Sequence, residues 1–311
     1  MTDDHLFDPT ASHDPEVERL ERLLRPLGRR DDAPIAAPRR TRNRWIVVGL
    51  AAAAALVAAV TVPRDAPVPS PAAGRGAEVR DERTDATVAV GAWIDAGEAD
   101  REILVGDVGR VTLAARSRLQ VRYVSAETTR LYLERGRLEA RVAADARPRF
   151  FQVDTDAARC VDLGCRYTLE ADGEGVATVR VVTGQVAFEA GPREVFVPAG
   201  ASCVARTGSG PGTPRFDDAR DGLCAALDAF DAAIGASAES RRSLARAALD
   251  AVDDGRDTLA AWHLLQDPDA EIAAAAASRL VAVAGAVVTV PGAAAQEVRA
   301  AWKERLEPLW W

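Results

Sequence analysis

The spacing of apolar positions changes character several times along the chain, and each change marks a different element. In residues 15–27 the apolar side chains Val17, Leu20, Leu24 and Leu27 recur at intervals of three and four, with Leu23 widening the stripe, which predicts an amphipathic helix. Asp14 and Pro15 supply its N-cap and N1 residues, Glu16 and Glu18 suit the positive end of its dipole, and Gly28 ends it. Residues 45–62, WIVVGLAAAAALVAAVTV, carry no charge at all. As a helix this run is about 27 Å long, close to the roughly 30 Å of a bilayer's hydrocarbon core. A Pro/Ala/Gly linker follows at 63–78, and from 79 to 207 the period drops to two. A Gly/Pro linker is expected at 208–215, and over 216–311 the period returns to that of helices.

In the period-two region the runs 111–124, 130–142, 149–155, 165–171, 177–190 and 193–200 alternate apolar and polar residues, as half-buried antiparallel or solenoidal strands do. Gly106, Gly109, Gly136, Gly164, Gly184 and Gly200 punctuate them at bends or positions of positive φ. In the last region one helix face carries Leu223, Leu227, Phe230 and Ile234, and the next Leu244, Ala248 and Val252. Asp257 and Asp267-Pro268 begin two more helices, and a final one presents Val298, Trp302, Leu306 and Leu309 before Trp310 and Trp311. The apolar run 270–290 is broken by Arg279 and begins with Glu271, so it reads as a soluble helix and a turn. The expected fold is thus a mainly β domain of short strands, solenoid or sandwich, with a C-terminal helical bundle and one membrane helix.

Charge orients the membrane segment. Arg39, Arg40, Arg42 and Arg44 crowd its N-terminal side and Arg64 stands alone beyond it, which places residues 1–44 in the cytoplasm and the rest outside. A formal net charge of -8 gives no basic footprint, so direct nucleic-acid binding is not expected. Aromatic residues are only 5% of the chain and much of its apolar content is alanine, so its cores should be thin. No candidate active site emerges: Ser117, Ser125 and Ser202 have no histidine within the β region, and His263 in AAWHLL lacks companions at ligand spacing. The glycine-rich GSGPGTP of 208–214 lacks the lysine and strand-to-helix context of a phosphate loop. No metal or cofactor is called for.

The order GRVTLAARSRLQV, RLYLERGRLEARV, FFQVDT, VDLGCRYTLE, VRVVTGQVAFE, VFVPAGASC resembles the FecR domain of membrane-bound sigma-factor regulators, over about residues 88–206. Where that family usually reads G-T-x-F, this chain has Cys165 and Tyr167 after Gly164. The resemblance implies a periplasmic β domain, one helix through the bacterial inner membrane, and a cytoplasmic segment that binds an extracytoplasmic-function sigma factor, here through Val17, Leu20, Leu23, Leu24 and Leu27. On the exported side it implies an envelope protein or ligand that delivers a signal. The helical tail departs from relatives that serve iron transport. The competing reading is a periplasmic scaffold or cell-envelope assembly protein whose N-terminus is only a tether. All four cysteines, Cys160, Cys165, Cys203 and Cys224, fall on the expected exported side, where disulfides persist, and a Cys165–Cys203 bridge is the first choice among the pairings.

Overall fold

The computed structural model describes residues 78–106, 109–143, 146–286 and 294–310. All of these belong to one compact unit, Pro67–Trp311. The expected helix at 15–27, the segment 45–62 and most of the linker lie outside the described residues. Among the described residues no helix is long and apolar enough to cross a membrane.

The described chain is mainly β, with a helical C-terminal region. One layer contains β1 (Val79–Asp81), β2 (Ala86–Thr87), β4 (Arg101–Val105), β5 (Gly109–Leu113), β10 (Arg166–Ala171), β11 (Val176–Thr183), β14 (Ala201–Arg206), β15 (Gly210–Pro211) and β16 (Arg215–Phe216). The other contains β3 (Trp93–Asp95), β6 (Arg118–Val124), β8 (Phe151–Asp154), β9 (Arg159–Asp162), β12 (Gln185–Ala190) and β13 (Arg193–Pro198). The long β7 (Thr129–Val142) belongs to both: residues 129–135 pair with β6 and residues 138–142 pair with β5. Every pairing is antiparallel except β7 with β8, so the strands form a folded antiparallel sheet and not the parallel stack of a solenoid. Alternation decides which side chains go inward. Leu119, Val121, Leu131, Leu133, Val153 and Phe188 are fully buried, while their neighbours Arg118, Gln120, Arg130 and Gln152 stand at the surface.

Two of the expected strands are in fact pairs. Residues 111–124 break between β5 and β6, and residues 177–190 break at Gly184 between β11 and β12. The expected linker at 208–215 is also replaced by structure: Gly210 and Pro211 pair with Arg206 and Ala205, and Thr213 donates its N–H and its hydroxyl to Asp231.

The helices are α1 (Asp221–Ala232), α2 (Ala238–Asp250), α3 (Thr258–Leu264), α4 (Ala270–Ala284) and α5 (Ala295–Trp310). Asp269 caps α4 by accepting from Glu271 N–H, and Gly285 at φ 79° stops it. Asp267 instead forms a two-pronged ion pair with Arg241 of α2, at 2.7 and 2.5 Å. Ile234 lies beyond the end of α1 and is 62% exposed. On α5 the buried face runs Trp302, Leu306, Trp310, at strict four-residue steps, which leaves Leu309 exposed.

The tail shares one apolar core with the strands instead of forming a separate bundle. Its anchor is Phe196 on β13, whose ring meets Trp262 and Trp310 at 6.2 Å each, with Lys303 4.1 Å above it. Trp262 Nε1 donates to the Arg299 carbonyl and Trp310 Nε1 donates to Thr258 Oγ1. Among the described residues β13 pairs only with β12, and the buried His263 sits with Nε2 2.9 Å from the Phe196 carbonyl oxygen. A carbonyl can only accept, so Nε2 carries the proton and Nδ1, which is sealed without a partner, is bare.

Burial, with Arg299 and Arg193 nearby, holds His263 well below its ordinary pKa. The unfolded chain takes up a proton near pH 6.5 and the folded chain does not, so stability is intact above that pH and declines below it. Acidification from neutral pH should therefore lower the unfolding free energy by up to about 1.4 kcal/mol per pH unit below 6.5 for this group, read as a falling melting temperature. A His263→Gln chain should lose that part of the slope. An unchanged slope would show that His263 is not the titrating group.

Candidate functional site

Four of the six glycines singled out in the sequence fall where the chain passes between the two layers, while Gly106 and Gly109 lie at the hairpin between β4 and β5 within one layer. Gly136 divides β7, Gly164 leads from β9 to β10, Gly184 from β11 to β12, and Gly200 from β13 to β14. Their φ values are 95°, 91°, 73° and 74°, a left-handed conformation that side chains disfavour. Space is as restrictive as torsion at two of them. A Cβ on Gly136 would lie 2.6 Å from Ser117 Cα, and one on Gly184 would lie 2.3 Å from the Gly164 carbonyl oxygen and 2.9 Å from Cys165 Cβ.

The corner at Gly164 and Gly184 is held by a buried carboxylate. Asp162 is 1% exposed and accepts from the N–H groups of Gly164 and Cys165, at 2.9 and 3.1 Å, and from the Cys165 thiol, at 2.5 Å. Burial raises its pKa, and these three donors oppose the rise. Asp162 was not singled out from the sequence, although an Asp two residues before a glycine is a turn signal. Cys160, Cys165 and Tyr167 are all buried in the adjoining core, and burial pushes both thiols and the phenol upward. The Tyr167 hydroxyl makes no hydrogen bond of good geometry, and its one polar neighbour is the Cys160 thiol, a weak partner.

The expected Cys165–Cys203 bridge is not formed, and all four cysteines are free thiols. Cys203 pairs across β14–β11 with Val179, which pairs with Leu169, four residues from Cys165. Two strand spacings and four residues separate the pair by roughly 16 Å, far beyond the roughly 7 Å a disulfide can span. The remaining sequence-predicted positions, Val17, Leu20, Leu23, Leu24 and Leu27, lie outside the described residues.

Elsewhere the described residues bring together little that could act on a substrate. Ser117 Oγ accepts from Arg137 N–H and is 3.2 Å from the carbonyl oxygen of the same residue, a structural use. Asp253, Asp254 and Asp257 lie close enough to share a cation, but the Arg220 guanidinium already bridges Asp253 and Asp257. A shallow groove of about 390 Å³ runs along α5, past Ala300, Lys303, Glu304, Glu307 and Pro308. A second hollow of about 60 Å³ separates Arg193 and Arg206 from Asp231.

This arrangement makes the corner a structural element with two consequences. Gly184→Ala should destabilise the chain by roughly 2–4 kcal/mol, because the clash is with backbone. Gly191→Ala, with φ 58° but open space around it, should cost only about 1 kcal/mol. Equal losses in denaturant unfolding would contradict the corner. Tyr167→Phe deletes a buried hydroxyl whose one polar neighbour is the weak Cys160 thiol, and should leave stability unchanged or raise it by about 1 kcal/mol. A clear loss would mean the hydroxyl is bonded in solution.

No curated protein matches the sequence. Two crystal structures of a candidate anti-sigma factor from Parabacteroides distasonis are similar, each at 18% identity and a TM-score of 0.35, covering 43% of this chain and 63% of that one. This chain thus spans less than two thirds of the length of that protein. The family model described as FecR protein matches residues 93–187, from β3 into β12 and across the corners at Gly136, Gly164 and Gly184, so that this part of the chain is a FecR domain.

Proposed function

We propose that the chain is a single-pass regulator of an extracytoplasmic-function sigma factor in the bacterial inner membrane. Residues 45–62 cross the bilayer, residues 1–44 lie in the cytoplasm, and the FecR domain with its helical tail lies in the periplasm. The observation that carries this reading is a FecR domain at 93–187 on the far side of a charge-free, 18-residue run whose arginines crowd its N-terminal flank.

In this reading the stripe Val17, Leu20, Leu23, Leu24 and Leu27 docks in a groove of the sigma factor. A helix of about 13 residues is marginal in water, so it orders on binding. No acid, base or metal set is required for such a role, and the protein acts by holding or releasing its partner. An envelope protein or ligand supplies the signal outside.

Replacing both Leu20 and Leu24 with Asp should weaken sigma-factor binding by about 2–4 kcal/mol, since charge is forced into an apolar contact. Exchanging Glu18 and Glu21 for Gln should matter far less. In cells the Asp pair should change expression of the sigma factor's target genes at unchanged protein level and membrane insertion. Regulation indistinguishable from wild type would leave the N-terminus as a tether and favour an envelope scaffold.

A further inference from the structure

The hollow of about 60 Å³ where the strands meet the start of the tail is lined by Arg193 from β13, Arg206 from β14, Ser209 from the turn after β14, Asp231 from α1 and Ile234 just beyond α1. Its charges are unmatched in a way that those around it are not. Close by, Arg215 holds Asp228 at 2.6 Å, and Arg241, also at the hollow, holds Asp267 at 2.5 Å. Arg193 and Arg206 hold no carboxylate among the described residues, and Arg193 Nε is sealed without any acceptor. Buried donors rarely stay unpaired, so the Arg193 guanidinium is short of a partner.

Asp231 does not fill that role. Both of its oxygens accept from Thr213, Oδ2 from the N–H at 2.7 Å and Oδ1 from the hydroxyl at 2.9 Å, and it makes no ion pair with either guanidinium. With Arg241 held by Asp267, two guanidiniums against one carboxylate leave the hollow one positive charge in excess. A monoanion neutralises that charge, whereas a dianion such as phosphate sets a second negative charge against Asp231. The space is about that of two water molecules at roughly 30 Å³ each, enough for the three heavy atoms of a carboxylate head. Val204, Pro211 and Ile234 supply the apolar part of the lining, and Ile234 is 62% exposed.

We infer that this hollow binds a carboxylate that carries an aliphatic group, with the head between the Arg193 and Arg206 guanidiniums and the aliphatic part against Ile234. A carboxylate matches the planar fork of a guanidinium, and it presents an acceptor to each of two. An apolar side chain left 62% exposed beside that head gives the remainder of the ligand a surface to cover. A free branched-chain acid and the C-terminus of a peptide that ends in an aliphatic residue share this chemistry. The inference goes beyond the sigma-factor reading and depends only on described residues, so either can fail without the other.

The test is ligand-observed NMR on the full chain in micelles of an uncharged detergent, with four probes: 4-methylpentanoate, acetyl-Ala-Leu with a free carboxylate, the same dipeptide as its amide, and inorganic phosphate. At least one of the two acids should bind, and the tighter of them identifies the source of the carboxylate. The amide and phosphate should each bind at least about tenfold more weakly than that acid. Arg193→Gln with Arg206→Gln should weaken the acid at least about tenfold, and Ile234→Ser about threefold. Arg137→Gln, on β7, should change nothing. Melting curves identify any variant that has not folded, and the exposed Arg206→Gln alone, expected to cost about threefold, then replaces the pair. Binding of neither acid, an amide that binds as well as the acid, tighter binding of phosphate, or binding indifferent to the arginine changes would each overturn the inference.

Discussion

A Cβ on Gly136 would stand 2.6 Å from the Cα of Ser117, and β7 can change layers only because none is there. From that bend the remainder of the β architecture follows. One half of β7 is the template for β6 and β8, the other for β5 and β10, so both layers are registered on a single strand. The chain then returns across the gap at Gly164, Gly184 and Gly200, each at positive φ. Each passage reverses which layer is being extended while keeping Leu131, Leu138, Tyr167, Val179 and Phe188 turned into one core. The corners are therefore conditions for having a single core in a chain with few large apolar side chains.

An open sheet has ends, and the end at β13 is covered by the chain's own helices. His263 satisfies a carbonyl of that strand, and Trp262 and Trp310 close over Phe196. An uncovered strand here would present its unpaired backbone to other chains. Helices rich in alanine bury little area individually, and two tryptophans and a phenylalanine supply what alanine cannot. The tail is thus part of the stability of the β domain, which explains why both contribute to one core and why the segment between them is pinned to β14.

The features legible in the sequence were those with a local cause. Positive φ has a direct signature in glycine, and the helical faces of Leu223, Leu227 and Phe230 or Trp302 and Leu306 follow from a 3.6 period. What failed depended on which strands become neighbours. Alternation continues through a corner, so β5 with β6 and β11 with β12 each read as one strand. The early strands β1 to β4 are two to five residues long, too short for a period to declare itself. Cys165 and Cys203 both looked strand-like, and only the order β10–β11–β14 reveals the distance between them. Trp93, Arg118, Arg122 and Tyr132, whose rings and guanidiniums stack on one another, are spread over three strands and 40 residues, so their cluster has no sequence signature at all.

Positions that carry the fold and positions open to change are separated along the chain. Glycine corners and the tail junction resist change, because their tolerances are set by backbone contacts and by a sealed histidine. Arg118, Arg122 and Arg130 alternate outward from the same strands, β6 and β7, whose inward residues form the core. Substitution at these outward positions leaves register intact, since register is set by the inward set of side chains. The two ends of this layer differ in the same way: the β13 end is sealed by the protein's own helices, so change there is felt by the core, whereas among the described residues β3 pairs with β6 alone and its outer edge carries no such load.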